Sequence, residues 1–121
     1  MSNLINFKNS IIGTGGATYN LLTGEFNPDR GFMVSIKGHE SKSDYNENNL
    51  QYTIAKYIRI KADLILSGEN RDLFLGAWID NGLLYLDVSI HIESRPEAIL
   101  QAQANEQLAY FDCNLGEAID L

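Results

Sequence analysis

Residues 74–92 read FLGAWIDNGLLYLDVSIHI, two runs rich in β-branched and aromatic residues joined by Asn81-Gly82. Asn-Gly between such runs is the strongest short-range hairpin signal, because both central residues of a type I′ turn take φ > 0. A two-residue turn also fixes the pairing. Asp80 must face Leu83, Trp78 must face Tyr85, Gly76 must face Asp87 and Phe74 must face Ser89. One side of the hairpin is then apolar throughout: Leu75, Ala77, Ile79, Leu84, Leu86, Val88, Ile90 and Ile92. The other carries Phe74, Gly76, Trp78, Asp80, Leu83, Tyr85, Asp87, Ser89 and His91. A hairpin wetted on one side would be polar there. This mixed, aromatic side predicts a cover, and no other segment offers an obvious one. The expectation is a homo-oligomer interface through Phe74, Trp78 and Tyr85, with a ligand site near its edge.

The remaining elements follow from periodicity and punctuation. Residues 1–12 read as a short arm or edge strand, and Gly13-Thr14-Gly15-Gly16 as a glycine-rich loop. Ala17 to Leu22 is a strand; Thr23 to Arg30 is dense in turn residues, with Pro28 excluding a central strand. Gly31 to Lys37 alternates as a second strand, and Gly38 to Asn46 is a polar loop. Leu50, Ile54, Tyr57, Ile58, Lys61, Leu64 and Ile65 form one stripe of a helix from about Asn49 to Leu66. Asn48 or Asn49 would cap its start and Gly68 its end. Ser94-Arg95-Pro96-Glu97 is a capping box that opens a second helix, running to Glu106 or Gln107. Leu108 to Asp112 is a further strand, and Glu117 to Leu121 adds a short one. The predicted fold is α+β: a single domain over 1–121, an antiparallel sheet in β-β-α-β-β-α-β order, with two helices packed on one face.

At 121 residues the chain is long enough for one real core. No apolar run approaches the roughly 18 residues of a membrane span, and the N-terminus has no signal-peptide pattern. The single cysteine, Cys113, cannot form an internal disulfide and lacks a neighbouring base or motif for catalysis. A reducing cytoplasm is the expected setting. The net charge is −7, and residues 69–121 hold ten Asp/Glu against two Lys/Arg. That disfavours nonspecific nucleic-acid binding, which depends on Lys and Arg neutralising phosphates. It leaves open an acidic surface that blocks a basic protein, and an acidity that serves only solubility.

Gly13 to Asn20 (GTGGATYN) is the candidate anion- or nucleotide-contacting loop. Glycines let backbone N–H groups approach phosphate oxygens, and Thr14, Thr18, Tyr19 and Asn20 add polar groups beside Gly15 and Gly16. It is neither a P-loop nor a dinucleotide fingerprint. A plain turn before a strand would look the same. Trp78 and Tyr85 oppose each other and could stack a nucleobase or pair within an interface. Asp87, mid-strand opposite Gly76, could accept hydrogen bonds from a ligand or from buried backbone. Asn105 and Gln107, at the end of the second helix, could bind a ligand or cap the helix. Ala98 and Ala102 leave room for close packing. His39 and His91 show no metal-ligand spacing, no cofactor motif is present, and no triad or acid–base pair can be placed, so no enzymatic activity and no catalytic residue are expected.

Three stretches together carry a resemblance: GGATYN followed by GFMVS, then GAWIDNGLLYLDVS, then EAILQAQANEQLAYFD. In order and character they resemble small proteins of bacteriophages and prophages, and among these the Thoeris anti-defence family, over most of the chain from Gly15 to Asp112 but not the loop 38–48 or the N-terminal arm. The resemblance implies a counter-defence protein acting in the host cytoplasm: an oligomeric sponge that sequesters a cyclic signalling nucleotide without degrading it. It assigns no ligand residue, so the candidates remain those above. The alternatives are an acidic, protein-binding inhibitor of a host defence nuclease, of anti-CRISPR type, and a phage structural or assembly accessory.

Overall fold

The structure, a computed structural model, describes residues 2–66 and 72–121, with side chains from Leu4 onward. The expected Gly68 cap lies outside the described residues. The order of elements is α1 (Ser2–Thr14), β1 (Gly16–Tyr19), β2 (Phe32–Ser35), β3 (Ser41–Asp44), α2 (Leu50–Ile65), β4 (Leu73–Asp80), β5 (Leu83–Ile92), α3 (Arg95–Ala104), β6 (Ala109–Asp112) and β7 (Glu117–Asp120). The protein is therefore α+β, but the β-β-α-β-β-α-β order and the count of two helices need correction. An N-terminal helix replaces the expected arm, and β3 forms inside the segment read as a loop.

The β4–β5 hairpin is the centre of the sheet. Asn81 and Gly82 sit at φ 51° and 76°, and the pairing runs from Asp80↔Leu83 to Leu73↔Ile90. The strand order is β1-β4-β5-β2-β6-β7, all neighbours antiparallel. β5 has two partners on its far side: β2 along Ser89–Ile92 and β3 along Leu83–Leu86. Between them, residues 37–40 leave the sheet beside Asp87.

All three helices lie on the apolar side of the hairpin. Phe7 and Ile11 of α1 and Leu50, Ile54, Tyr57 and Ile65 of α2 are buried against Leu75, Ala77, Leu84, Leu86 and Val88. Complete burial of Phe7 and Ile11 contributes about 1.5–3 kcal/mol each. The α3 face is built on Ala98 and Ala102, both fully buried against Val34, Tyr110, Ile90 and Ile92. Small residues there let the helix approach the sheet closely.

Helix ends show how local chemistry sets the boundaries. A 3₁₀ turn, Glu47–Asn49, precedes α2, and its cap is Asn46, whose side chain accepts from Asn48 N–H. Asn49 makes no side-chain cap bond. Only half of the predicted capping box forms at α3: Ser94 Oγ accepts from Glu97 N–H at 3.3 Å, while the Glu97 carboxylate accepts from Gln101 instead. The helix stops at Ala104, short of the expected Glu106 or Gln107. Gln107 N–H reaches back to Ala102 C=O and Glu106 N–H to Gln103 C=O, the Schellman pattern. Glu106 holds the left-handed position, φ 56°. Strand β1 ends at Tyr19 because the Asn20 carboxamide oxygen accepts from Leu22 and Thr23 N–H and opens a turn. The segment after it folds back along β1, where Asn27 Oδ1 accepts from Thr18 N–H at 2.8 Å. Among the described residues, no helix is long and apolar enough to cross a membrane.

Candidate ligand-binding site

The second side of the sheet is concave. Gly16 and Thr18 of β1 and Phe111, Glu117 and Ala118 of β6 and β7 line the same cavity, although those strands lie at opposite ends of the sheet path. The sheet must curl for that to happen. The cavity measures about 1120 Å³. This curl encloses part of the face that the sequence left to another subunit, from Gly76 and Trp78 to Asp87 and Ser89. Phe74 packs with Met33 and Cys113 and is 2% exposed, so its expected interface role is corrected: it is core. Trp78 and Tyr85 stack on each other, with ring centroids 5.2 Å apart and planes 5° apart. Both are half-buried, and Trp78 forms part of the cavity wall.

Asp87 lies in this cavity and is almost fully buried. Ser35 Oγ donates to its Oδ2, and Ser89 Oγ donates to its Oδ1 at 3.2 Å. Strand pairing puts these hydroxyls there, since Ser35 faces Ser89 across β2–β5. Gly76 makes the carboxylate possible: a Cβ at 76 would overlap Asp87 Oδ1 and come within 3.3 Å of its Cγ. Burial pushes the Asp87 carboxyl above its ordinary value; the two hydroxyls pull it down, and Glu40 pushes it up again. Its field reaches through the sheet, where Tyr57 is raised first by burial and then by the Asp87 charge. The Tyr57 hydroxyl donates to the His39 carbonyl.

Of the residues singled out in the sequence, Thr14, Gly15, Gly16, Thr18, Trp78, Asp87 and Gln107 line the cavity together. Tyr19, Asn20 and Asn105 do not. Tyr19 is buried on the opposite side, its ring 5.8 Å from that of Phe7. Asn20 shapes the turn after β1. Asn105 ends α3, donating to Gln101 C=O and accepting from Lys37 N–H. These three are corrected from ligand candidates to structural residues.

The glycine-rich loop also changes meaning. Gly15 takes φ 87° and gives its N–H to Ile11 C=O at 2.9 Å, closing the C-terminus of α1. A helix C-terminus presents carbonyls and the negative end of the helix dipole. The loop is therefore no cradle for phosphate, although it lines the cavity. Its Thr14 hydroxyl has one proton, shared between two carbonyls in reach, Ser10 C=O at 2.7 Å and Gly16 C=O at 2.9 Å.

Ser35, Ser89, Met33, Glu40 and Cys113 were missed as cavity residues. The hairpin register already placed Ser89 beside Asp87; Ser35 and Met33 required knowing that β2 pairs with β5. Burial, and then the neighbouring Asp112 charge, push the Cys113 thiol up to about 11. No described group of three His, Cys, Asp or Glu side chains is arranged to hold a metal ion. His91 bonds the Arg30 carbonyl through its ring, and His39 Nδ1 lies 3.2 Å from Lys61 Nζ.

Fold and cavity together define a small α+β domain with a ligand-sized concavity on the helix-free side of its sheet. The chain matches no known family profile, no curated protein and no solved structure.

Proposed function

We propose that this protein is a non-catalytic binding protein that takes a small organic molecule into the concave side of its sheet and releases it unchanged. The observation that carries this reading is the cavity of about 1120 Å³ built over the buried Asp87. Ligand pockets are commonly about 300–1,000 Å³, mostly apolar, with a few placed polar groups. This cavity has that make-up: Met33, Trp78, Phe111 and Ala118 beside Asp87, Ser35 and Ser89. The absence of catalysis in the proposal rests on chemistry. The Cys113 thiol is held protonated at neutral pH, and both serine hydroxyls donate to a carboxylate, with no histidine among the described cavity residues to activate them.

Sequestration of a cyclic signalling nucleotide in a bacterial cytoplasm is the specific form of this reading that the sequence resemblance suggests. Two observations favour it: the volume, and the Trp78 ring in the wall, on which a base could stack. Its phosphates would have to stay at the mouth, in water, because no Lys, Arg or His is among the described cavity residues. Homo-oligomerisation belongs to the same proposal.

Native mass spectrometry after incubation with signalling nucleotides, polyamines and small aromatic cations tests the whole reading, since it reports bound mass and subunit count together. The expected result is a stoichiometric adduct whose ligand is recovered intact after heating. A ligand returned chemically altered would make the protein an enzyme. No adduct across the panel would remove the binding function.

A further inference from the structure

The cavity has a definite electrical sense. Five of the described residues lining it are carboxylic acids, Asp29, Glu40, Asp87, Glu106 and Glu117, and none is a base. Lys37 neutralises Glu106 at the surface, which leaves the others. A rim of exposed acids alone would mean little, because water screens it. The floor is different. Asp87 is 2% exposed, and the chain keeps it there at a cost, reserving Gly76 for the space its carboxylate fills.

Hydrogen-bond accounting sharpens the point. A serine hydroxyl has one proton to donate and two lone pairs. Ser35 and Ser89 both spend that proton on Asp87, one on each carboxylate oxygen. Their remaining capacity is as acceptors, as is that of the carboxylate. The end of α1, at Thr14 and Gly15, lines the cavity and contributes the negative pole of that helix. Trp78 adds an aromatic face to the wall, and aromatic faces attract cations.

We infer that the floor of this cavity receives a planar, N–H-bearing cation, an amidinium or guanidinium group carried on an apolar or aromatic body. Such a head offers further donors to the lone pairs that Asp87, Ser35 and Ser89 retain beyond the bonds among themselves, in the forked geometry that suits a carboxylate. Its body fills the space beside Met33 and Phe111 and stacks against Trp78. The inference rests on the binding function proposed above and names the chemical class that the site selects.

Three probes of one shape and different head groups separate the possibilities: benzamidine, which is cationic, benzamide, which is neutral, and benzoate, which is anionic. Trp78 is the only tryptophan, so its emission reports the cavity wall directly. The expected result is a saturable change with benzamidine, affinity for benzamide weaker by about tenfold or more, and no response to benzoate. Asp87→Asn should reduce the benzamidine preference by about tenfold while circular dichroism shows the fold intact. If that variant does not fold, the ranking of the three probes on the unaltered protein still decides. Binding of benzoate or benzamide as tight as that of benzamidine would overturn the cation inference and leave a binding protein of another selectivity. Failure of all three, together with the nucleotides and polyamines, to perturb Trp78 or add mass would remove the binding function, and this inference with it.

Discussion

Replacing Gly76 with alanine probes the packing on which the candidate site depends. Gly76 is not at positive φ, so its backbone conformation accepts an L side chain. In an ordinary strand the exchange would stabilise by about 0.4–1 kcal/mol, by restricting the unfolded chain. Here the new methyl would overlap Asp87 Oδ1 and press on Cγ at 3.3 Å. Asp87 cannot simply swing aside, since Ser35 and Ser89 hold both its oxygens and it lies mid-strand in β5. Overpacking of a site this tight costs about 1–3 kcal/mol. Gly76→Ala should therefore destabilise the protein by about 2 kcal/mol, read as a lower urea midpoint at unchanged m. The same exchange in an Asp87→Ala background has no carboxylate to strike and should be neutral or mildly stabilising. The double-mutant cycle should return a coupling of about 2 kcal/mol between positions 76 and 87. An equal cost of Gly76→Ala in both backgrounds would place the strain in the backbone and refute the reasoning.

Protonation of Asp87 should be visible in stability. Its carboxyl is raised on folding, chiefly by burial, so its contribution is complete below about pH 4, the unfolded value, and is lost as pH rises through the raised folded value. Asp87→Asn should gain on the parent protein in thermal midpoint across that rise; a constant difference from acid to neutral pH would contradict it. Cys113, pushed up to about 11, should be roughly one part in 10⁴ thiolate at pH 7, so its reaction with a disulfide reagent should be slow and accelerate about tenfold per pH unit. Glu106→Gly should stabilise by about 1 kcal/mol in chemical denaturation, because it relieves a left-handed residue and loses only an exposed ion pair with Lys37. Asp112→Ala should cost about 2 kcal/mol, since its Oδ1 accepts from the N–H groups of Asn114 and Leu115 that turn β6 into β7.

The hairpin was legible because its register follows from local chemistry alone: Asn81 and Gly82 accept positive φ, and pairing then counts outward residue by residue. The α2 stripe was legible for a similar reason, as six of its seven residues are aliphatic or aromatic side chains at helical spacing that end against one sheet face. Helix α1 was not. Its stripe, Leu4, Phe7 and Ile11, has helical spacing, but the segment has no acidic first turn and no basic last turn, and Ile5 and Ile12 blur the period by standing exposed. Strand β3 was hidden for the opposite reason. Ser41-Lys42-Ser43-Asp44 has no apolar face at all and is held by main-chain pairing to β5. What no local pattern encodes is the curl that brings β1 toward β6 and β7. That closure brings together segments about a hundred residues apart in the chain, such as those that place Gly16 and Ala118 on one cavity.

The missed helix matters more for the site than for the fold. With residues 1–12 read as an arm or strand, the glycines that follow look like free N–H donors, and free donors suit phosphate. Once α1 precedes them, Gly15 N–H is spent on Ile11 C=O, and the loop becomes the carbonyl end of a helix. The same glycines then oppose an anion where they had been expected to bind one. Asp87, whose role the sequence left open, lies on the cavity that the loop lines, and it adds charge of the same sign. Most of the ligand candidates named from the sequence thus line one cavity, while the polarity of that cavity depended on one helix boundary. A ligand built on phosphate and a ligand built on a planar cation are separated by that boundary, which is why head-group selectivity is a sharper test of this cavity than binding itself.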